Sequence, residues 1–176
     1  MRPKDTPNDA GRRDRIVAAA MEVLLEEGVS AITARAVAAR AQVPVGSVSY
    51  YFPSVRSVLL EAVGLVVAQR KRSLEAWSDA TSSHTLMRDL AALIHEQVDR
   101  GRALTVLSYE LHVLGLRDEA FRGPAVELAD ALVAALARHM DSAEASRLAQ
   151  RAEGVQLNAL LRGGATVEEL QAALGA

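Results

Sequence analysis

The sequence predicts an all-α protein of about nine helices, and three observations carry that reading. Of 176 residues, 33 are alanine and only six are aromatic: Tyr50, Tyr51, Phe52, Trp77, Tyr109 and Phe121. Alanine and leucine favour helices, whereas sheets draw on β-branched and aromatic side chains. Apolar residues also recur at helical spacing, and glycine and proline punctuate the segments that show it. Cysteine is absent, which excludes disulfides, thiol nucleophiles and cysteine-held clusters and fits a reducing compartment. No uncharged run reaches the roughly 20 residues that span a bilayer, and the N-terminal residues are polar and charged. The expected address is the cytoplasm, with no membrane partner.

Residues 1–11 hold two prolines and several polar or charged side chains and are expected to form a flexible arm. In residues 12–27, Ile16, Ala19, Ala20, Val23 and Leu24 share one helix face, and Gly28 is placed for a left-handed cap. Thr33 can cap a second helix, with Ile32 and Val37 as a hydrophobic staple. Ala41-Gln42-Val43 reads as a tight turn. Pro44 is expected to open a third helix at residues 45–51, and Pro53 to stop it. Ser54 caps a long fourth helix to about Trp77, striped by Val58, Leu59, Ala62, Val63, Val66 and Leu74. Further helices are expected at residues 85–99, 102–116, 124–139, 143–161 and 166–174. In this reading Gly115 to Gly123 is a loop, Pro124 starts the helix after it, and Thr166 with Glu169 forms a capping box. The expected division is an arm (1–11), a head (12–56) and a helical body (57–176).

The formal net charge of −2 is an average over unlike parts. Residues 1–60 carry eight Lys/Arg against six Asp/Glu, and residues 61–176 twelve against sixteen. The head is the more basic part, which favours an anionic partner there.

Two short helices joined by a three-residue turn have the geometry of a helix-turn-helix, whose second helix enters a DNA major groove about 12 Å wide. Such a helix needs a small or polar outer face, and Val45, Gly46, Ser47 and Ser49 supply one while Val48 and Phe52 turn to a core. Glycine in a helix costs about 0.5–1 kcal/mol relative to alanine; at Gly46 either a close external approach or the helix start accounts for it. Tyr50 and Tyr51 are adjacent and cannot both face one small core. At least one hydroxyl is therefore expected beside the groove, able to donate to a phosphate; packing under the fourth helix is the other account. Thr33, Ser54 and Arg56 stand at helix starts, where free N–H groups favour an anion, although capping alone explains Thr33 and Ser54.

The stretch from Ile32 to Ser54 resembles the N-terminal signature of the TetR family of bacterial transcriptional regulators. Its pattern is T-x-R-x-V-A-x-x-A-x-V-x-x-G-x-apolar-x-Y-[Y/H]-F-x-S, preceded by a helix ending in E-E-G, and it covers about residues 12–60. The resemblance implies a ligand-responsive regulator that binds a palindromic operator in double-stranded DNA as a homodimer. Most simply it is a repressor released by a small-molecule effector; an activator of the same fold is the alternative. It further implies that Arg35 reaches a base, that Val45, Ser47 and Ser49 read base edges or thymine methyls, and that Thr33, Tyr50, Tyr51 and the start of the fourth helix hold phosphates. This chain departs from many members by Gln42 for Gly, Pro44 for Ser, Ser49 for Tyr and Val55 for Lys. That Lys usually contacts phosphate, and Arg56 beside it points about 100° away around the helix. Arg2, Lys4, Arg12, Arg13 and Arg15 add phosphate contacts in this reading, or only solubility in the other.

For the body, the resemblance implies a four-helix interface built from two helices of each subunit. Leu128, Leu132 and Leu136 on one helix and Leu148, Val155, Leu157 and Leu161 on another are the candidates, unless both stripes are internal core. Polar residues that interrupt the apolar helices are candidates for an effector pocket: Trp77, His95, Gln97, Tyr109, Glu110, His112 and Asn158. The four histidines show no metal-ligand spacing, and no nucleophile constellation or phosphate loop appears, so no metal, no cofactor and no enzymatic activity are expected. Two rivals remain: an enzyme using Glu110 and His112 as an acid/base pair, and a helical adaptor that binds only proteins.

Overall fold

A computed structural model describes residues 11–175. Its elements are α1 (Arg12–Glu27), a 3-10 turn (Val29–Ala31), α2 (Ala34–Arg40), α3 (Val45–Tyr51), α4 (Val55–Ala80), α5 (Leu86–Asp99), α6 (Arg102–Arg117), α7 (Glu119–Leu136), α8 (Ser142–Arg162) and α9 (Val167–Leu174). Among the described residues there are nine α-helices and no strand, as the composition predicts. No single helix among them is long and apolar enough to cross a membrane. The expected arm lies, but for Gly11, outside the described residues, and Arg12, Arg13 and Arg15 belong to α1.

The chain divides into two compact units within α4, between Val66 and Val67, where the sequence suggests a boundary after Arg56. The first turns of α4 count with the head because Val58, Ala62 and Val63 are fully buried. In the head, Ile16, Ala20, Val23 and Leu24 of α1 are enclosed together with Val37 and Ala38 of α2, Val48 of α3 and Phe52. Arg40, near the end of α2, reaches Glu26 at 2.7 Å, Glu27 at 3.4 Å and Glu22 at 3.5 Å, tying α2 to α1. The bond to Glu26 is the main cause that raises the Arg40 pKa. Arg13 pairs with Glu61 and lies over the Phe52 ring, 5.0 Å from its centroid. That engagement, worth about 0.5–1 kcal/mol where exposed, gives Arg13 a structural role in the head.

Two end signals differ from the sequence reading. Gly28 has a positive φ of 82° but a ψ of 178°, so the chain leaves α1 extended instead of curling into a left-handed cap. Pro44 has φ −58° and ψ 141°, which makes it the residue before α3 and not its first turn. The fixed φ of proline suits both positions, and only ψ separates them.

In the body, Leu90, Ala91 and Ile94 of α5, Leu136 of α7, Ala145, Ala149 and Ala152 of α8, and Leu170 and Leu174 of α9 form one core. The alanines of α8 recur three and four apart, which lets its neighbours approach closely. Asp141 caps α8 by accepting from the N–H groups of Ala143 and Glu144. Thr166 and Glu169 form the expected capping box on α9. Ser78 is buried and donates to the Ala135 carbonyl at 2.9 Å, so His139 Nε2, 3.0 Å away, must donate to the Ser78 hydroxyl.

The expected loop from Gly115 to Gly123 is the largest misreading. Gly115 ends inside α6, Asp118 alone separates the helices, and α7 runs through Pro124. Asp118 accepts from the Ala120 N–H at 3.0 Å and Phe121 is buried, so α7 starts five residues before the proline. Pro124 forgoes one hydrogen bond to the Ala120 carbonyl, a loss that the cap and the buried ring offset.

Candidate nucleic-acid interface and body cavity

The helix-turn-helix is α2, the turn 41–43 and α3. Thr33 accepts from the Ala36 N–H at 3.0 Å, so α2 has the predicted cap, and the Thr33 hydroxyl proton is left to donate elsewhere. The turn closes through Gln42 N–H to the Ala39 carbonyl (3.2 Å) and Val43 N–H to the Ala38 carbonyl (3.0 Å). Gln42 holds φ +54°, the left-handed region that favours glycine. The departure of this chain from the familiar Gly therefore falls on the one non-glycine residue with positive φ among the described residues.

Along α3, Val48 is buried while Val45 (47%), Gly46, Ser49 and Tyr50 (77%) are exposed, and Ser47 is half-buried. Apart from its chain neighbours and the backbone of its own helix, nothing lies within 4 Å of the place a Cβ on Gly46 would occupy, so packing against the rest of the chain does not require glycine there. Tyr51 is half-buried, its ring edge-on to Tyr50 at 5.0 Å. One tyrosine thus stands out and one leans in, as their adjacency demands. Arg35 and Arg56 are exposed. Ser54 accepts from the Ser57 N–H at 3.2 Å, and the Ser57 hydroxyl donates to the Ser54 carbonyl at 2.7 Å, which accounts for Ser54 as a cap.

The body holds a small cavity with about 40 Å³ of free space. Its walls are Leu74, Leu90, Leu93, Ile94, Leu128 and Leu132, and its polar end is Arg70, Gln97, Tyr109, His112, Glu153 and Gln156. Arg70 Nη2 donates to Gln97 Oε1 at 2.9 Å, the Gln156 amide donates to the same oxygen, and the Tyr109 hydroxyl lies 3.0 Å from the Glu153 carbonyl and 3.3 Å from Gln156 Oε1. Burial pushes Tyr109 up to about 12, aided by the nearby Glu153. It also lowers the Arg70 pKa and raises that of Glu153. His112 Nε2 is enclosed and has no hydrogen-bond partner among the described residues.

Of the residues expected to face a pocket, the structure brings Tyr109, His112 and Gln97 together. The others lie elsewhere. Trp77 packs against the core with its indole N–H donating to the Asp89 carbonyl at 3.3 Å. Exposed His95 donates through Nδ1 to the Ala165 carbonyl at 2.8 Å. Asn158 is also exposed and donates to the Gly154 carbonyl at 3.0 Å. Glu110 is exposed, two residues before half-buried His112, whose Nε2 is enclosed. Arg70, Glu153 and Gln156 were missed, although each stands on an apolar stripe: Arg70 follows Val66 and Val67 and precedes Leu74, and Gln156 sits between Ala152 and Ala159.

The interface candidates divide in the same way. Leu136 is fully enclosed and Leu128 nearly so within the chain's own core, and half-buried Leu132 lines the cavity. Leu148 and Val155 are half-buried against the core. Leu157 (40%) and Leu161 (78%) are exposed, as is Val126.

A helix-turn-helix head with an open recognition helix, joined to a helical body that encloses a cavity, defines a DNA-binding transcriptional regulator. Residues 16–62 match the family described as bacterial regulatory proteins, tetR family. Among solved structures, a member of the TetR family (SCO1917) from Streptomyces coelicolor A3 is 31% identical, over 93% of this chain and 96% of that one, with a TM-score of 0.74. The multidrug binding protein EbrR, complexed with imidazole, is 31% identical over 95% and 94%, with a TM-score of 0.75. A candidate transcriptional regulator, SCO7518 from Streptomyces coelicolor A3(2), is 29% identical over 94% and 96%, with a TM-score of 0.82. The chain belongs to the TetR family, and its members are regulators, not enzymes. No curated protein matches it.

Proposed function

We propose that the protein is a ligand-responsive repressor that binds a palindromic operator as a homodimer and is released by a small-molecule effector. The observation that carries this reading is the α3 face of Val45, Gly46, Ser49 and Tyr50, left exposed while Val48 on the other side is buried. In this reading Val45, Ser47 and Ser49 meet base edges, Arg35 reaches a base from the start of α2, and Thr33, Tyr50, Tyr51, Ser54 and Arg56 hold phosphates. Exposed Leu157, Leu161 and Val126 support the second copy that a palindrome requires.

The effector reading rests on the body cavity and on likeness: EbrR, 29% identical in these complexes, was solved with proflavin and with ethidium. An effector releases DNA by preferring a conformation whose recognition helices no longer fit, with α4 as the segment shared by head and body. Driving a population from 1:99 to 99:1 takes about 5.5 kcal/mol of differential affinity. Selection from random duplex DNA tests the main claim. An enriched inverted repeat is expected, and enrichment of none without effector overturns it.

A further inference from the structure

We propose that Gln42, in the turn ahead of the recognition helix, holds a DNA phosphate: its side-chain amide N–H donates to a backbone oxygen of the operator. This rests on the reading of α2, the turn and α3 as the face that meets DNA, and adds to it a contact outside the helix.

The turn is a Schellman motif. Gln42 N–H donates to the Ala39 carbonyl at 3.2 Å and Val43 N–H to the Ala38 carbonyl at 3.0 Å, the two bonds that close α2 around a residue in left-handed backbone. Glycine is the usual occupant, because any residue with a Cβ is disfavoured there. The chain follows that rule elsewhere: every other positive φ among the described residues belongs to glycine, at Gly28, Gly163, Gly164 and Gly175. Gln42 is the exception, and the fold makes no use of its side chain. It is exposed, and among the described residues its side-chain amide neither donates nor accepts a hydrogen bond.

A strained position kept by a side chain with no partner in its own chain points to a partner outside it. The neighbours say which. Exposed Pro44, Val45 and Gly46 follow, so Gln42 borders the face that meets the major groove. Residues 45–51 contain neither a charge nor an amide, so hydroxyls are the only side-chain donors of α3. A primary amide beside them offers two N–H groups. Its place in the turn, off the helix, suits the sugar–phosphate backbone flanking the groove and not the base edges within it.

The test uses the full chain, an operator selected from random duplex DNA, and fluorescence anisotropy. Gln42→Gly and Gln42→Ala are expected to bind about tenfold more weakly than the parent, the glycine variant without melting at a lower temperature. A merely structural role would move melting and affinity together. Gln42→Lys should restore affinity and steepen the fall of log K with log salt by about 0.9 per subunit, one phosphate's share. Operators carrying one neutral methylphosphonate at a time locate the partner: one linkage per half-site should weaken the parent and be silent in Gln42→Gly. Parental affinity in the glycine and alanine variants overturns the proposal, and so does a loss that tracks one base pair with no linkage silenced. If Arg35→Ala weakens binding and the Gln42 variants do not, this contact alone fails; if neither does, the reading of this face as the DNA-binding one fails with it.

Discussion

Gly115 of α6 and Ala125 of α7 approach so closely that a Cβ on Gly115 would stand 2.5 Å from the Ala125 Cβ and 3.2 Å from the Phe121 carbonyl oxygen. One of these two positions is a backbone carbonyl and the other the single side-chain carbon of alanine, so little there can move aside. Gly115→Ala is expected to destabilise the protein by about 1–3 kcal/mol, the usual range for overpacking. Gly64, inside α4 with nothing within 4 Å of a built Cβ, is the control: Gly64→Ala should stabilise by about 0.5–1 kcal/mol. Equal melting temperatures for the two variants would contradict the close crossing of α6 and α7.

Gln42 sits at φ +54° in the turn between α2 and α3. An L-residue there is strained by about 1–2 kcal/mol, of which glycine relieves most while losing some entropy on folding. Gln42→Gly should therefore raise stability by about 0.5–1 kcal/mol, and Gln42→Ala should not. Thermal denaturation of the three proteins decides it, and a stabilised alanine variant would show that strain is not the cause.

Glu153 makes stability depend on pH with a definite sign. Burial raises its pKa in the folded state above about 4.5, the ordinary value, so folded protein holds the proton more tightly than unfolded. Its contribution is fully present below about pH 4.5 and is lost as pH rises through the folded value. Glu153→Gln should flatten this fall and be the more stable protein at neutral pH. Urea midpoints measured at intervals from pH 4 to 8 check it; a parent that gains on the variant as pH rises reverses the sign.

Arg35 and Arg40 lie five residues apart but differ in role. Arg40 is held by Glu22, Glu26 and Glu27, whereas Arg35 is exposed near the start of α2. Arg35→Ala should weaken operator binding by about 1–3 kcal/mol and relax preference at one base, with melting unchanged. Arg40→Ala should affect melting before DNA. Fluorescence anisotropy on a selected operator, at two salt concentrations, separates them.

Leu161 is 78% exposed at the end of α8 although its neighbour Leu160 is buried. If this face meets a second copy, Leu161→Asp with Leu157→Asp should shift the protein to monomer in sedimentation and lose operator affinity, while the melting of the monomer stays near that of the parent. A dimer that survives both changes places the interface elsewhere.

Much of this molecule is determined locally. The alanine bias, the caps at Thr33, Asp141 and Thr166, and the spacing of Ile16, Ala20, Val23 and Leu24 are short-range properties of the chain, and helices respond to short-range properties. The recognition helix was legible for the same reason: its two faces differ over seven consecutive residues. Other features depended on partners distant in sequence. Pro124 reads as a helix start until buried Phe121 and the Asp118 cap are seen to extend α7 ahead of it. Leu136 and Leu161 carry the same side chain, yet one is enclosed and the other open, because burial is decided by which helix lies opposite. Nothing in the spacing of α4 singles out Arg70. Only the meeting of α4, α5, α6 and α8 places Arg70 beside Gln97, Tyr109 and Glu153, where burial lowers its pKa.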